Sequence, residues 1–140
     1  MKKIFINTDG GARGNPGPAG IGFIITEEGG EVLAEDSKFL GETTNNVAEY
    51  TALIEALLKT VALFGEDTRV IAVAVRLDSE LVVKQLAGHY KVKHAGLKPL
   101  FARVRELTSR HFPNISFSHV RRIENARADK LANEAMDRGA

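Results

Sequence analysis

At 140 residues and 44% hydrophobic composition, the chain has room for one domain around one core, and no low-complexity tract points to bulk disorder. It holds no cysteine, which excludes a disulfide scaffold, a thiolate zinc site and a cysteine nucleophile. The net charge of +1 hides an uneven division, since residues 1–80 carry seven Lys and Arg against 13 Asp and Glu while residues 81–140 carry 12 against five; this suits cations held beside a surface for phosphates.

Residues 3–8 are short, apolar and β-branched, and predict a first strand. The polar Asn7, Thr8 and Asp9 interrupt this run too early for a secretory signal, and no later stretch is long and apolar enough to span a membrane, so the expectation is a soluble cytoplasmic protein. Residues 9–19, dense in glycine and proline, predict a tight loop. Residues 20–26 and 31–39 predict two further strands joined by a hairpin turn at 27–30, which makes an antiparallel meander. Residues 41–46 are polar and end in capping types. After them Tyr50, Leu53, Ile54, Leu57, Leu58 and Val61 recur at helical spacing until Gly65 stops the helix.

Residues 70–77 are apolar except for Arg76, as expected for a strand covered on both faces. A short helix is predicted over 79–86, and Leu97, Leu100, Phe101, Val104 and Leu107 mark another. Residues 115–120 alternate as a fifth strand. Asn125 is placed as the cap of a last helix with Ala128, Leu131, Ala132, Ala135 and Met136 on its apolar face. The order βββαβααβα predicts an α/β fold, a five-stranded mixed sheet flanked by helices, in a single domain over residues 1–140.

Four acids fall at the ends of these elements. Asp9 closes the first strand and Asp78 the central one, and ligand sites in α/β sheets gather beyond the carboxyl ends of strands. Glu49 and Asp129 are expected in the first turns of two helices that can face the same edge. Each acid alone also has a structural reading: Asp9 as a turn former, Asp78 with Ser79 as a cap, Glu49 as a capping-box partner of Asn46, Asp129 as a complement to the helix dipole. Together, four carboxylates would repel one another unless hard divalent cations sat among them. Two such ions form a clamp for in-line phosphodiester cleavage, a chemistry that needs no protein nucleophile.

The surrounding blocks are Thr8-Asp9-Gly10-Gly11 followed by Arg13-Gly14-Asn15-Pro16-Gly17; Thr43-Thr44-Asn45-Asn46-Val47-Ala48-Glu49; Leu77-Asp78-Ser79-Glu80-Leu81; and Glu124-Asn125-Ala126-Arg127-Ala128-Asp129. In order, content and spacing they resemble type 1 ribonuclease H over nearly the whole chain. The resemblance implies cleavage of the RNA strand of an RNA–DNA hybrid with two divalent ions, Mg²⁺ or Mn²⁺, held by Asp9, Glu49, Asp78 and Asp129. It implies that Asn15, Asn45 and Asn46 read the minor groove, that Thr44 holds a phosphate of the DNA strand, and that Ser79 and Glu80 touch the RNA backbone. Gly11 lets the loop backbone approach the nucleic acid, and Arg13 of the same block belongs to the substrate-binding set.

Two departures stand out. Many relatives carry a loop histidine before the last carboxylate; here that segment is Val120-Arg121-Arg122-Ile123-Glu124, and Arg121 or Arg122 is expected to meet a phosphate instead. A long basic protrusion is replaced by a compact stretch whose Lys91, Lys93 and Lys98 are expected to contact phosphates, giving salt-sensitive binding. The partner expected is a hybrid substrate, and the protein is expected to be a monomer. The alternatives are a related two-metal nuclease acting on DNA, of resolvase or integrase type, and a non-catalytic hybrid-binding module.

Overall fold

The computed structural model describes residues 1–140. The strands are β1 (Lys3–Ala12), β2 (Gly17–Glu27), β3 (Val32–Thr43), β4 (Ala72–Leu77) and β5 (Ile115–His119). The helices are α1 (Asn45–Phe64), α2 (Glu80–Leu86), α3 (Lys98–His111) and α4 (Ala126–Arg138), with 3₁₀ turns at Gly65–Val70 and Arg122–Asn125. The sheet runs β3-β2-β1-β4-β5. β1 to β3 form the expected antiparallel meander, and β4 joins β1, and β5 joins β4, in parallel.

Strand pleating sorts the side chains into two faces. Ile4 and Ile6 of β1, Phe23 and Ile25 of β2, and Val73 and Val75 of β4 form one face of the core. Leu53 and Leu57 of α1, Val82 and Leu86 of α2, and Val104 and Leu107 of α3 pack in the same cluster. Burying each such side chain contributes about 1.5–3 kcal/mol. The opposite face receives α4, which lies chiefly on β2 and β3. A Cβ on Gly22 would meet the Ala128 carbonyl and the Leu131 side chain, so the missing side chain lets helix and strand backbones touch. Arg127 fastens α4 to β3 through paired bonds of 2.9 and 2.7 Å to Glu35, and Arg138 donates to the Ser37 carbonyl at 2.9 Å.

Several expected boundaries move. The stretch 9–19 is mostly strand, because Gly10 pairs with Ile21, Gly11 with Gly20 and Ala12 with Ala19; only the turn between β1 and β2 remains loop. Its glycines are demanded by packing as well as by turning: a Cβ on Gly10 would strike the Ala48 carbonyl of α1. β3 continues to Thr43 instead of ending at residue 39. β4 begins at Ala72, and only Val73, Val75 and Leu77 are buried, so its other face is half-covered, contrary to a strand enclosed on both sides.

The cap of α1 is Thr44, whose hydroxyl accepts from the Val47 N–H at 3.3 Å. That places Glu49 as the fifth helical residue, two positions later than expected, and removes its reading as a capping partner of Asn46. Asn125 stands at the N-cap position of α4, as expected, but its side chain makes no capping bond. Its side chain instead donates to the Thr8 carbonyl at 2.8 Å and accepts from Asn7 at 3.0 Å.

Candidate active site

The parallel ladder between β1 and β4 ends at the pair Thr8 and Leu77, so Asp9 and Asp78 emerge side by side. α1 crosses Gly10 at backbone contact and brings Glu49 over the same edge. Asp9, Glu49 and Asp78 each offer a carboxylate oxygen within 4.8 Å of the others. Asp9 and Glu49 are only 7% and 8% exposed, and Glu49 Oε2 is buried without any hydrogen-bond partner. Asp129 lines the same cleft, which has a volume of about 420 Å³, but stands outside the tight trio. Its Oδ1 accepts from Arg122 at 3.1 Å and from Asn133 at 3.3 Å.

The electrostatics follow from this crowding. Burial is the first cause that pushes Asp9 up to about 8, and the charges of Asp78 and Asp129 add to it. Glu49 is raised well above the ordinary carboxylate range by burial, then by Asp9 and Asp78, while the Gly10 backbone acts in the other direction. Asp78 is also raised, chiefly by burial, with Arg122 opposing. An acid cluster held this high, with a buried oxygen left unpaired, is incomplete as a purely structural feature. Oxygen-only donors of this kind match hard divalent cations such as Mg²⁺ or Mn²⁺, and Asp9, Glu49 and Asp78 have the donor type and spacing to hold one.

A sequence model of the family described as reverse transcriptase-like matches residues 7–135. The chain is 45% identical over 92% of its length to ribonuclease HI of Halobacterium salinarum, covering 62% of that protein. The chain belongs to the ribonuclease H family.

Among solved structures, LC11-RNase H1, isolated from compost by a metagenomic approach, superposes with a TM-score of 0.93 at 55% identity, covering 99% of this chain and 98% of that one. LC11-RNase H1 has also been solved in complex with an RNA/DNA hybrid; that structure matches with a TM-score of 0.92 at 54% identity over 96% of this chain and 97% of that one. A bifunctional protein of Mycobacterium tuberculosis is 45% identical over 99% of the chain, which spans only 36% of that relative's length.

The other residues of the ribonuclease H blocks divide into free and occupied groups. Asn15 Oδ1 accepts from the Asn45 N–H at 3.0 Å, and Asn45 Oδ1 accepts from the Ala12 N–H at 2.7 Å. Both amides thus spend their oxygens on joining the β1–β2 turn to α1, and keep their nitrogens as donors. Asn46 is half-buried beside them and Gly11 lines the cleft. Thr44 and Ser79 cap α1 and α2.

Four charged members of the set are paired. Arg13 meets Asp137 at 2.6 Å, Glu80 meets Lys84 at 2.9 Å, and Arg121 meets Glu124 at 3.2 Å. Arg122 points into the cleft through Asp129. Lys91 and Lys93 are exposed on the segment between α2 and α3, with Lys98 opening α3.

Sequence reasoning missed three residues that position this site. Asn7 and Asn125 bond to each other and tie the start of α4 to β1. Asn133, one turn after Asp129, holds both its carbonyl and its carboxylate. The spacing of four between Asp129 and Asn133 on a helix was a signal available in the sequence.

Proposed function

We propose that this member of the ribonuclease H family hydrolyses the RNA strand of RNA–DNA hybrids, using two divalent metal ions, Mg²⁺ or Mn²⁺. The observation that carries the reading is the buried trio Asp9, Glu49 and Asp78 with an unpaired Glu49 oxygen, opening into a cleft that Asp129 also lines. The hybrid complex of LC11-RNase H1 supports the substrate class. When bound, the ions supply an activated water and charge stabilisation for the leaving oxygen.

The chain's own residues do the rest. Asp9, Glu49, Asp78 and Asp129 act as ligands, and the β1–β4 register fixes two of them before any ion arrives. The free amide nitrogens of Asn15 and Asn45, with Asn46, donate toward 2′-hydroxyls and base edges of the minor groove, which distinguishes RNA from DNA. Thr44 presents its hydroxyl to a DNA-strand phosphate, while Ser79 and Glu80 flank the RNA backbone beside Asp78. Gly11 allows close approach. Arg13, Arg121, Arg122, Lys91 and Lys93 provide cations for backbone phosphates once their present acid partners, where they have one, exchange for substrate. The reading takes residues 1–140 as a single catalytic domain, acting as a monomer in the cytoplasm.

The test is cleavage of a labelled hybrid with Mg²⁺, Mn²⁺ or EDTA, beside matched single-stranded RNA, double-stranded RNA and double-stranded DNA. The expected result is metal-dependent cutting of the hybrid's RNA strand alone. Cutting of DNA substrates would make it a DNA-directed nuclease. Tight hybrid binding without cutting under either metal would leave a binding module.

A further inference from the structure

A second cavity, of about 380 Å³, lies between the end of α2 and the start of α3. Lys91 and Lys98 stand at it, Tyr90 and Phe101 form aromatic walls, and Gln85 contributes a polar surface. Gln85 is 6% exposed, an unusual burial for an amide. Its Oε1 accepts from the Tyr50 hydroxyl at 2.6 Å. That bond leaves Gln85 Nε2 as a donor with no protein acceptor, on a residue that lines the cavity. Tyr50 is fully buried, and burial pushes its hydroxyl up to about 12, so it stays a neutral donor and keeps the amide in one orientation.

The surrounding backbone is tied down. The His89 and Tyr90 N–H groups return to the Lys84 carbonyl at 2.9 and 3.3 Å, and Arg105 donates to the Leu86 carbonyl at 3.0 Å. The cavity therefore collects two ammonium groups and one fixed amide donor, and no carboxylate lines it. Donors without acceptors in a formed pocket call for an anion with several oxygens.

The same two helices serve both sites. Glu49 and Tyr50 are consecutive on α1, one directed to the acid cluster and the other to Gln85. α2 starts two residues after Asp78 and carries Gln85 near its far end. Its seven residues measure about 10 Å.

We propose that this cavity is a phosphate-binding subsite for one strand of the hybrid, away from the cleavage position, with Gln85 Nε2, Lys91 and Lys98 as its donors and Tyr50 as the residue that orients Gln85. The inference rests on the proposed action on hybrids, so its test reads binding and not cleavage. Asp78→Asn protein, in which the RNA strand stays intact, is titrated with hybrids that carry one neutral methylphosphonate at successive positions of either strand.

One position, away from the cleavage position, is expected to weaken binding about tenfold, the scale of one charge-assisted hydrogen bond. Gln85→Glu is expected to bind the unmodified hybrid about tenfold more weakly and to be indifferent to that one methylphosphonate. Lys91→Ala with Lys98→Ala, on the exposed rim where folding is not at stake, is expected to lower the salt dependence by one to two released counterions. Folded variants that bind as the parent does, or that keep full sensitivity to that methylphosphonate, overturn the proposal.

In a parallel arm, inorganic phosphate is titrated while the Gln85 side-chain amide is followed by nuclear magnetic resonance. A shift of that amide, with no sensitive position in the hybrid, would make the cavity a free-anion site and overturn the strand assignment. A wild type that fails to cut hybrids would overturn the proposed function while leaving this binding measurement intact.

Discussion

The Asn125 side chain donates to the Thr8 carbonyl at 2.8 Å, joining the entrance of α4 to the strand position just before Asp9. The bond is buried, and Asn7 completes it by donating to Asn125 at 3.0 Å. Asp129 therefore takes its position from a tether to β1 as well as from the packing of its own helix.

Replacing Asn125 with Ala leaves the Thr8 carbonyl and the Asn7 amide without their partner. The expected loss is about 1–3 kcal/mol in urea unfolding. Turnover is expected to fall more than apparent hybrid affinity, because the tether positions a carboxylate and does not touch substrate. Unchanged unfolding and unchanged turnover together would refute the tether.

Gly22→Ala tests the close contact between β2 and α4. The added methyl meets the Ala128 carbonyl and the Leu131 side chain, and backbone cannot move aside as a flexible side chain can. A loss of about 1–3 kcal/mol is expected, with reduced activity from a displaced Asp129. A variant as stable and as active as wild type would show that α4 has slack on the sheet.

The acid cluster sets a pH dependence whose sign can be worked out. Asp9 ionises near 8 in the folded protein against an ordinary 3.8, so between these values the native state holds a proton that the unfolded chain has lost. Raising the pH through this window therefore lowers the stability of the metal-free protein. Mg²⁺ acts oppositely, because its binding needs the ionised acids and releases their protons. Melting temperature in EDTA is expected to fall from pH 4 to 8, and the increment produced by Mg²⁺ to grow over the same range. Asp9→Asn is expected to flatten the EDTA curve. A wild-type curve that rises across this window in EDTA would contradict the assignment.

Asp78→Asn separates function from stability. It removes one repelling charge and one proposed metal ligand. Hybrid cleavage is expected to drop by more than about 100-fold, the upper scale for losing a residue that only supports a ligand. The metal-free melting temperature is expected to rise or hold. A variant that still cuts at near wild-type rate would remove Asp78 from the site.

The helical spacing from Tyr50 to Val61 and the acids at strand ends were readable in the sequence, because periodicity and chain order survive without knowledge of packing. The meeting of Asp9 and Asp78 was readable only on the condition that β1 and β4 are parallel neighbours, which element order leaves open and the β1–β4 register supplies. The glycines of β1 and β2 misled, since composition does not distinguish a glycine that turns the chain from one that admits a neighbouring backbone. Gly10 and Gly22 are of the second kind. Asn125 was placed correctly at the cap of α4, but its side-chain bonds run to Thr8 and Asn7, more than a hundred residues away in the chain, which local sequence does not show. The orientation of Gln85 had no sequence signal, because it depends on a Tyr50 hydroxyl brought to it by the fold.

The bare glycine contact under α4 also divides the molecule mechanically. At Gly22 the strand contributes no rotamer through which that side can yield, and the Arg127–Glu35 and Arg138–Ser37 bonds brace it further. The other jaw, from α2 across the segment of residues 87–97 to α3, meets the rest through longer side chains around a cavity. Under the proposed action on hybrids, accommodation of helices of differing width or pitch is expected to fall to that second side, with the first as the fixed one.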